Sequence, residues 1–276
     1  MKYVVHMGAT KTGSSFLQER VFPRVEGLNF LGKENNQQYP RWLIDWIYMD
    51  DLAFEENIAT IRQHVESESD PDKVNVISAE AFFSGGRFKQ SVDRILKVLP
   101  EARILYVLRD PISWLKSRYA YGVEREGLYL PFEQAIDFGR SPLIFYKQPP
   151  IYLPDLFYTE QIEYLKALIK NDDFKILLFE ELKSEPKQFL EKLANFLGLK
   201  FSDDILSHSA QEKVNAVTKG LNVNAQRWEN LRAKTHEAFG VSIDSKPEIH
   251  DEPFMSETME GRLRDYFRGK CHTYQM

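Results

Sequence analysis

Residues 2–16, KYVVHMGATKTGSSF, start as a short apolar, β-branched run and break at Gly8. Tyr3, Val4 and Val5 predict a buried strand, residues 8–15 a sharp turn of small and hydroxyl side chains, and the apolar periodicity from Phe16 a helix. Backbone N–H groups in the first turn of such a helix have no intrahelical partner, and the helix dipole adds partial positive charge, so the turn favours an anion. Lys11 adds a full charge. Ser14 and Ser15 are expected to cap the helix or to donate hydroxyls to the anion, and Thr12 to donate one as well. The plain alternative is an ordinary turn between a strand and a helix.

A nucleoside triphosphate loop requires Gly, four residues, Gly, Lys, then Ser or Thr. Gly8 and Gly13 have that separation, but Ser14 stands where the lysine belongs and Lys11 comes two residues before the second glycine. In this arrangement KTGSS after a strand resembles the 5′-phosphosulfate loop of sulfotransferases that use 3′-phosphoadenosine 5′-phosphosulfate (PAPS). The resemblance implies an α/β fold, a three-layer parallel sheet flanked by helices of the P-loop nucleotide-binding-like sulfotransferase type. It also implies that Lys11, Thr12, Gly13, Ser14 and Ser15 bind the donor.

A second segment points the same way. Residues 103–108, RILYVL, read as another buried strand, followed by Arg109, Asp110 and Pro111 and a helical run from Ile112 to about Glu124. Pro111 suits the first turn of a helix and Asp110 is the expected N-cap. Arg109 therefore stands at the carboxyl end of a strand, where open α/β sheets bind ligands, and Ser117 lies about two helical turns further on. Arg, Pro two later and Ser eight later resembles the 3′-phosphate motif of the same sulfotransferases, which assigns Arg109 and Ser117 to that phosphate. A guanidinium fork matches phosphate oxygens bidentately, as a lysine does not. Taken alone, Arg109 reads as a surface arginine paired with a carboxylate.

Between these motifs lies VNVISAEAFFSGG, with a strand over Val74–Ser78 and Glu80 just past its end. In the resembling family a His or Glu from this strand is the catalytic base, which maps onto Glu80. Sulfuryl transfer to an alcohol is faster when the proton is taken up as the bond forms. Phe82 and Phe83 are expected to keep the carboxylate poorly solvated, which favours its protonated form. The alternative is a surface glutamate at a helix start. Lys11 is expected to balance the negative charge that develops on the leaving phosphate. The scheme calls for no metal, and the sequence has no His pair or acidic loop at ligand spacing.

At 276 residues and 43% hydrophobic content the chain has enough apolar material for one sizeable domain, 1–276. Residues 119–158, rich in aromatics and Pro, are expected to form an acceptor-binding insertion. A net charge of -5 and a pI near 5.8 argue against a nucleic-acid partner and favour a small-molecule or carbohydrate hydroxyl acceptor. No long apolar segment or leader is read, so a cytoplasmic protein without membrane insertion is expected, and the single Cys271 suits a reducing compartment. Further helices are expected over Trp42–Met49, Leu52–Val65, Phe88–Leu99, Glu185–Leu197, Asn222–Phe239 and Ser256–Phe267, and a strand over Lys175–Phe179. Family members close a basic, Gly-containing loop over the donor. Its counterparts here are Lys213 and the segment Thr218, Lys219, Gly220.

Two other functions stay open at this point. A P-loop small-molecule kinase shares the strand-loop-helix opening but needs a lysine after the loop glycine and a magnesium-binding carboxylate. A nonenzymatic nucleotide-binding protein needs neither Lys11 nor Glu80 as a reacting group.

Overall fold

In the computed structural model, residues 2–33, 38–83, 86–137, 151–208, 222–239, 253–268 and 270–271 are described. The strands in chain order are β1 (Lys2–Gly8), β2 (Leu28–Leu31), β3 (Val74–Ser78), β4 (Arg103–Leu108), the two-residue β5 (Ile136–Asp137) and β6 (Ile151–Tyr152), and β7 (Phe174–Leu178). The helices up to β7 are α1 (Ser14–Phe16), α2 (Arg41–Tyr48), α3 (Asp51–Glu68), α4 (Phe88–Val98), α5 (Pro111–Arg125) and α6 (Tyr158–Leu168). They are followed by α7 (Phe179–Ser184), α8 (Pro186–Leu197), α9 (Asp203–His208), α10 (Val223–Phe239) and α11 (Glu257–Arg268). The chain divides into two compact units, Met1–Arg109 with Tyr158–Val214, and Asp110–Phe157 with Asn215–Met276.

The first unit is built on a parallel sheet of order β2-β3-β1-β4-β7. Parallel strands joined by helices are covered on both faces, which is why β4 reads as an apolar run after Arg103 and β3 is buried throughout, its polar Asn75 and Ser78 both hydrogen-bonded. On one face Val4, Val76, Leu105, Val107 and Leu177 pack against Phe16 and Leu17 after the loop and against Phe189, Leu190 and Leu193 of α8. On the other face Tyr106 packs against Phe83, Phe88 and Tyr158 under α4 and α6. Burying side chains such as Leu105 and Val107 stabilises by about 1.5–3 kcal/mol each. This is the expected α/β fold with a flanked parallel sheet.

From β1 the chain goes out to the edge strand β2, returns through β3 and then crosses β1 to β4 and β7, so the direction of winding reverses beside β1. Open α/β sheets bind ligands in the crevice at the carboxyl ends of strands at such a point. All five strands run in one direction, so the segments that follow Gly8, Ser78, Leu108 and Leu178 share that edge.

Several boundaries differ from the sequence reading. The helix expected to end at Val65 continues to Glu68, and Asp50 caps its start by accepting from the N–H groups of Leu52 and Ala53. The four-residue β2 was not expected, because LNFL is too short to show a period. The strand expected over Lys175–Phe179 ends one residue earlier, and Phe179 opens the unanticipated α7. Gly198 does end α8 in the left-handed conformation, φ 71°, as expected of a C-cap.

In the second unit α5 contacts α10 and α11, and β5 pairs with β6. Its core includes Tyr119, whose ring lies 5.2 Å from Phe132 and 5.0 Å from Phe254 and whose hydroxyl donates to the Leu130 carbonyl.

Candidate active site

The loop after β1 is held by its own backbone conformation. Lys11 has φ 68° and Gly13 φ 89°, both left-handed, and Lys11 is the one non-glycine with positive φ among the described residues. Glycine is required at 13 for a second reason: a Cβ there would come within 2.8 Å of Leu182 and 3.3 Å of the Phe179 ring. Helix α1 starts directly from Gly13, which brings no capping side chain to the first-turn N–H groups. Ser14 is therefore the first helical residue, not the cap the sequence suggested. Thr12 is buried and its hydroxyl donates to the Ala9 carbonyl at 2.6 Å, so its proton is used inside the loop, with Ser14 Oγ 3.5 Å away. After one α turn the helix widens to a π turn over Leu17–Val21.

Arg109 follows β4 and reaches back to this loop. Its Nη1 donates to the Lys11 carbonyl at 2.7 Å, and its guanidinium lies over the Phe179 ring at 4.5 Å. The two cationic residues read from separate motifs are thus joined by one hydrogen bond, across 98 positions of sequence. Parallel pairing of β1 with β4 brings Arg109 to the same sheet edge as the loop.

Glu80 stands past the end of β3 at the start of a 3-10 turn, half-buried. Behind it His6 and Ser78, register partners on β1 and β3, bond through Nδ1 and Oγ at 2.7 Å, and Gln18 of the π turn donates to Ser78 Oγ at 2.9 Å. Gln18 also bonds the Tyr39 hydroxyl, which accepts from the Glu80 N–H at 3.4 Å. Burial and then the Glu80 carboxylate push the Tyr39 phenol up to about 12, so it stays protonated beside Glu80. Tyr39 was missed in the sequence: it precedes Pro40 in a polar stretch without a period, and only folding brings it to β3. The rings of Phe82 and Phe83, expected near the carboxylate, are core rings. Phe82 packs edge-on to Trp46, and Phe83 against Phe88 and Tyr106.

His6 is buried in this network. Burial lowers it from 6.5 to about 4, so it is neutral near pH 7. The unfolded chain binds this proton between the two values and the folded chain does not. Stability is therefore fully present above about pH 6.5 and falls as pH drops towards about 4, by about 3 kcal/mol at most from this group. In His6→Asn, chemical denaturation at pH 7 and pH 5 is expected to show a smaller loss between the two pH values than in the wild type. An equal loss would assign the acid sensitivity to other groups.

Ser117 lies in the second unit, half-buried on α5, whose start is as expected: Pro111 is its first residue and Asp110 accepts from the Ser113 N–H at 2.7 Å. Lys213, Thr218, Lys219 and Gly220 fall outside the described residues, as do Phe145, Tyr146, Pro149 and Pro150 of the aromatic stretch. Among the described residues no three His, Cys, Asp or Glu side chains are grouped to hold a metal ion, and no helix is long and apolar enough to cross a membrane. A cleft of about 1010 Å³ beside β2, α2 and α3 is lined by Phe30, Trp42, His64 and neighbours, and by none of the residues read from the motifs. Volume alone does not mark this site. The candidate is drawn from the Arg109 to Lys11 hydrogen bond and the uncapped helix start at the sheet edge.

The sequence model of the sulfotransferase domain matches residues 2–274. The chain belongs to the sulfotransferase domain family. A sulfotransferase from Alicyclobacillus acidocaldarius is similar in fold, with a TM-score of 0.52 at 17% identity over 86% of this chain and 96% of that one. Mouse sulfotransferase SULT7A1, whose structure was solved complexed with PAP, has a TM-score of 0.50 at 13% identity over 99% of this chain and 86% of that one. Among curated proteins none matches significantly. The sulfotransferase described here thus shares the fold of these enzymes, with sequence similarity too low to carry individual residues across.

Proposed function

We propose that this sulfotransferase moves a sulfuryl group from PAPS to a hydroxyl of a small-molecule or carbohydrate acceptor. The observation that carries the reading is the Arg109 to Lys11 hydrogen bond, because it brings two anion-binding elements from different motifs to one edge of one sheet. A donor with phosphate at the 3′ and the 5′ position needs both. In this reading Gly13, Ser14 and Ser15, with the backbone N–H of Thr12, cradle the 5′ end, and Arg109 holds the 3′-phosphate. Lys219 and Gly220 are assigned to donor binding on the family resemblance alone. Glu80 accepts the acceptor's proton as the new O–S bond forms. The S–O bond to the phosphate breaks, its electron pair leaves with 3′-phosphoadenosine 5′-phosphate (PAP), and Lys11 balances that charge.

The fit to such a donor rests on the loop. A Cβ at Gly13 would clash with Leu182, so glycine lets the loop keep this shape, and the helix start has no side-chain cap to compete with an anion. The test is thermal melting with nucleotides. At a hundredfold excess over Kd, PAP without magnesium is expected to raise Tm by roughly 5–10 °C, and ATP by little. A larger, magnesium-dependent shift with ATP would replace this reading with a small-molecule kinase.

A further inference from the structure

We propose that Arg109 is a positioning residue for Lys11, latching the loop in its reactive shape from the site that receives the donor's 3′-phosphate. The link to the 3′-phosphate rests on the donor reading above; the latch itself rests on geometry alone. Lys11 is held at φ 68°, a conformation that a side chain bearing a Cβ disfavours. Such a residue persists only where its surroundings over-determine it. The Lys11 carbonyl accepts from Arg109 Nη1 at 2.7 Å, a charge-assisted bond. The guanidinium is in turn seated on the Phe179 ring at 4.5 Å. The same ring backs the other left-handed residue of the loop, since it lies 3.3 Å from where a Gly13 Cβ would stand.

One arginine on one aromatic ring therefore braces both left-handed positions of the loop, and the brace belongs to the ends of β4 and β7, not to the loop itself. The consequence concerns specificity. A guanidinium ordered by a 3′-phosphate also orders the carbonyl of the residue whose ammonium faces the breaking bond, so the 3′-phosphate contributes to the aim of Lys11 as well as to affinity.

The experiment combines hydrogen exchange on the ligand-free protein with calorimetry, using wild type, Arg109→Ala and Phe179→Leu. Amides of residues 9–15 are expected to exchange at least about tenfold faster in both variants, with β3 and α8 unchanged. Adenosine 5′-monophosphate, which carries no 3′-phosphate, is expected to bind Arg109→Ala about tenfold more weakly than wild type. Loop exchange and adenosine 5′-monophosphate affinity both at wild-type values would overturn the latch and leave Arg109 a 3′-phosphate contact only. Faster exchange spread over the whole first unit would also overturn it, in favour of a general structural role. Should Arg109→Ala not fold, Phe179→Leu decides the exchange result, because it keeps apolar volume and removes only the aromatic face. Failure of wild type to bind either PAP or adenosine 5′-monophosphate would sink the donor reading, while loop exchange would still decide the latch.

Discussion

Glu80→Gln is expected to lower turnover by roughly two to four orders of magnitude while leaving PAP affinity within about twofold of wild type. The amide keeps the size and shape of the carboxylate and removes only its capacity to take a proton. The backbone N–H that donates to the Tyr39 hydroxyl is untouched, so the 3-10 turn after β3 should hold its place. Donor groups on the loop after β1 and on Arg109 are also unchanged, which is why binding and turnover should separate. The measurement is release of PAP from PAPS with a simple phenol as acceptor, beside calorimetry with PAP. Unchanged turnover would move the base to another residue, and a parallel loss of PAP affinity would make Glu80 a donor-site residue instead.

Lys11→Ala is expected to reduce turnover by about 10²–10³-fold and the affinity for intact PAPS by much less. Its ammonium is assigned to charge that develops only as the S–O bond lengthens, whereas in intact PAPS that oxygen still bridges phosphorus and sulfur, and in the proposed reading backbone N–H groups and Arg109 also hold the donor. Alanine tolerates φ 68° no better and no worse than lysine, so the loop's strain is the same in both proteins. Lys11→Arg keeps the charge but spreads it over a planar fork at the end of a longer side chain, and should restore only part of the rate. A loss confined to KM would show that Lys11 binds the donor equally in ground and transition state.

How far the site was legible depends on what kind of signal each residue left. Gly8, Lys11, Gly13, Arg109 and Pro111 stand at fixed offsets from apolar strands, and such offsets survive in a linear string. Asp110 and Gly198 were legible for the same reason, because caps have local chemistry. Tyr39, Gln18 and Phe179 left no such mark. Each acts through a partner distant in sequence: Tyr39 meets Glu80 41 positions on, and Gln18 meets Ser78 60 positions on. Phe179 was placed in a strand because it closes the apolar run ILLF, and nothing local says that its ring turns out to seat a guanidinium.

The local order of strand, loop and helix, the left-handed glycine at 13 and the apolar strands that demand cover on both faces were set by the sequence, because backbone sterics and hydrophobic period act over a few residues. Only the tertiary structure decided that Arg109 holds the Lys11 carbonyl, that His6 is a buried neutral group, and that Phe82 and Phe83 belong to the core. Those outcomes depend on which strands lie side by side. The parallel pairing of β1 with β3 and β4 is a long-range choice, made when both sheet faces are buried at once.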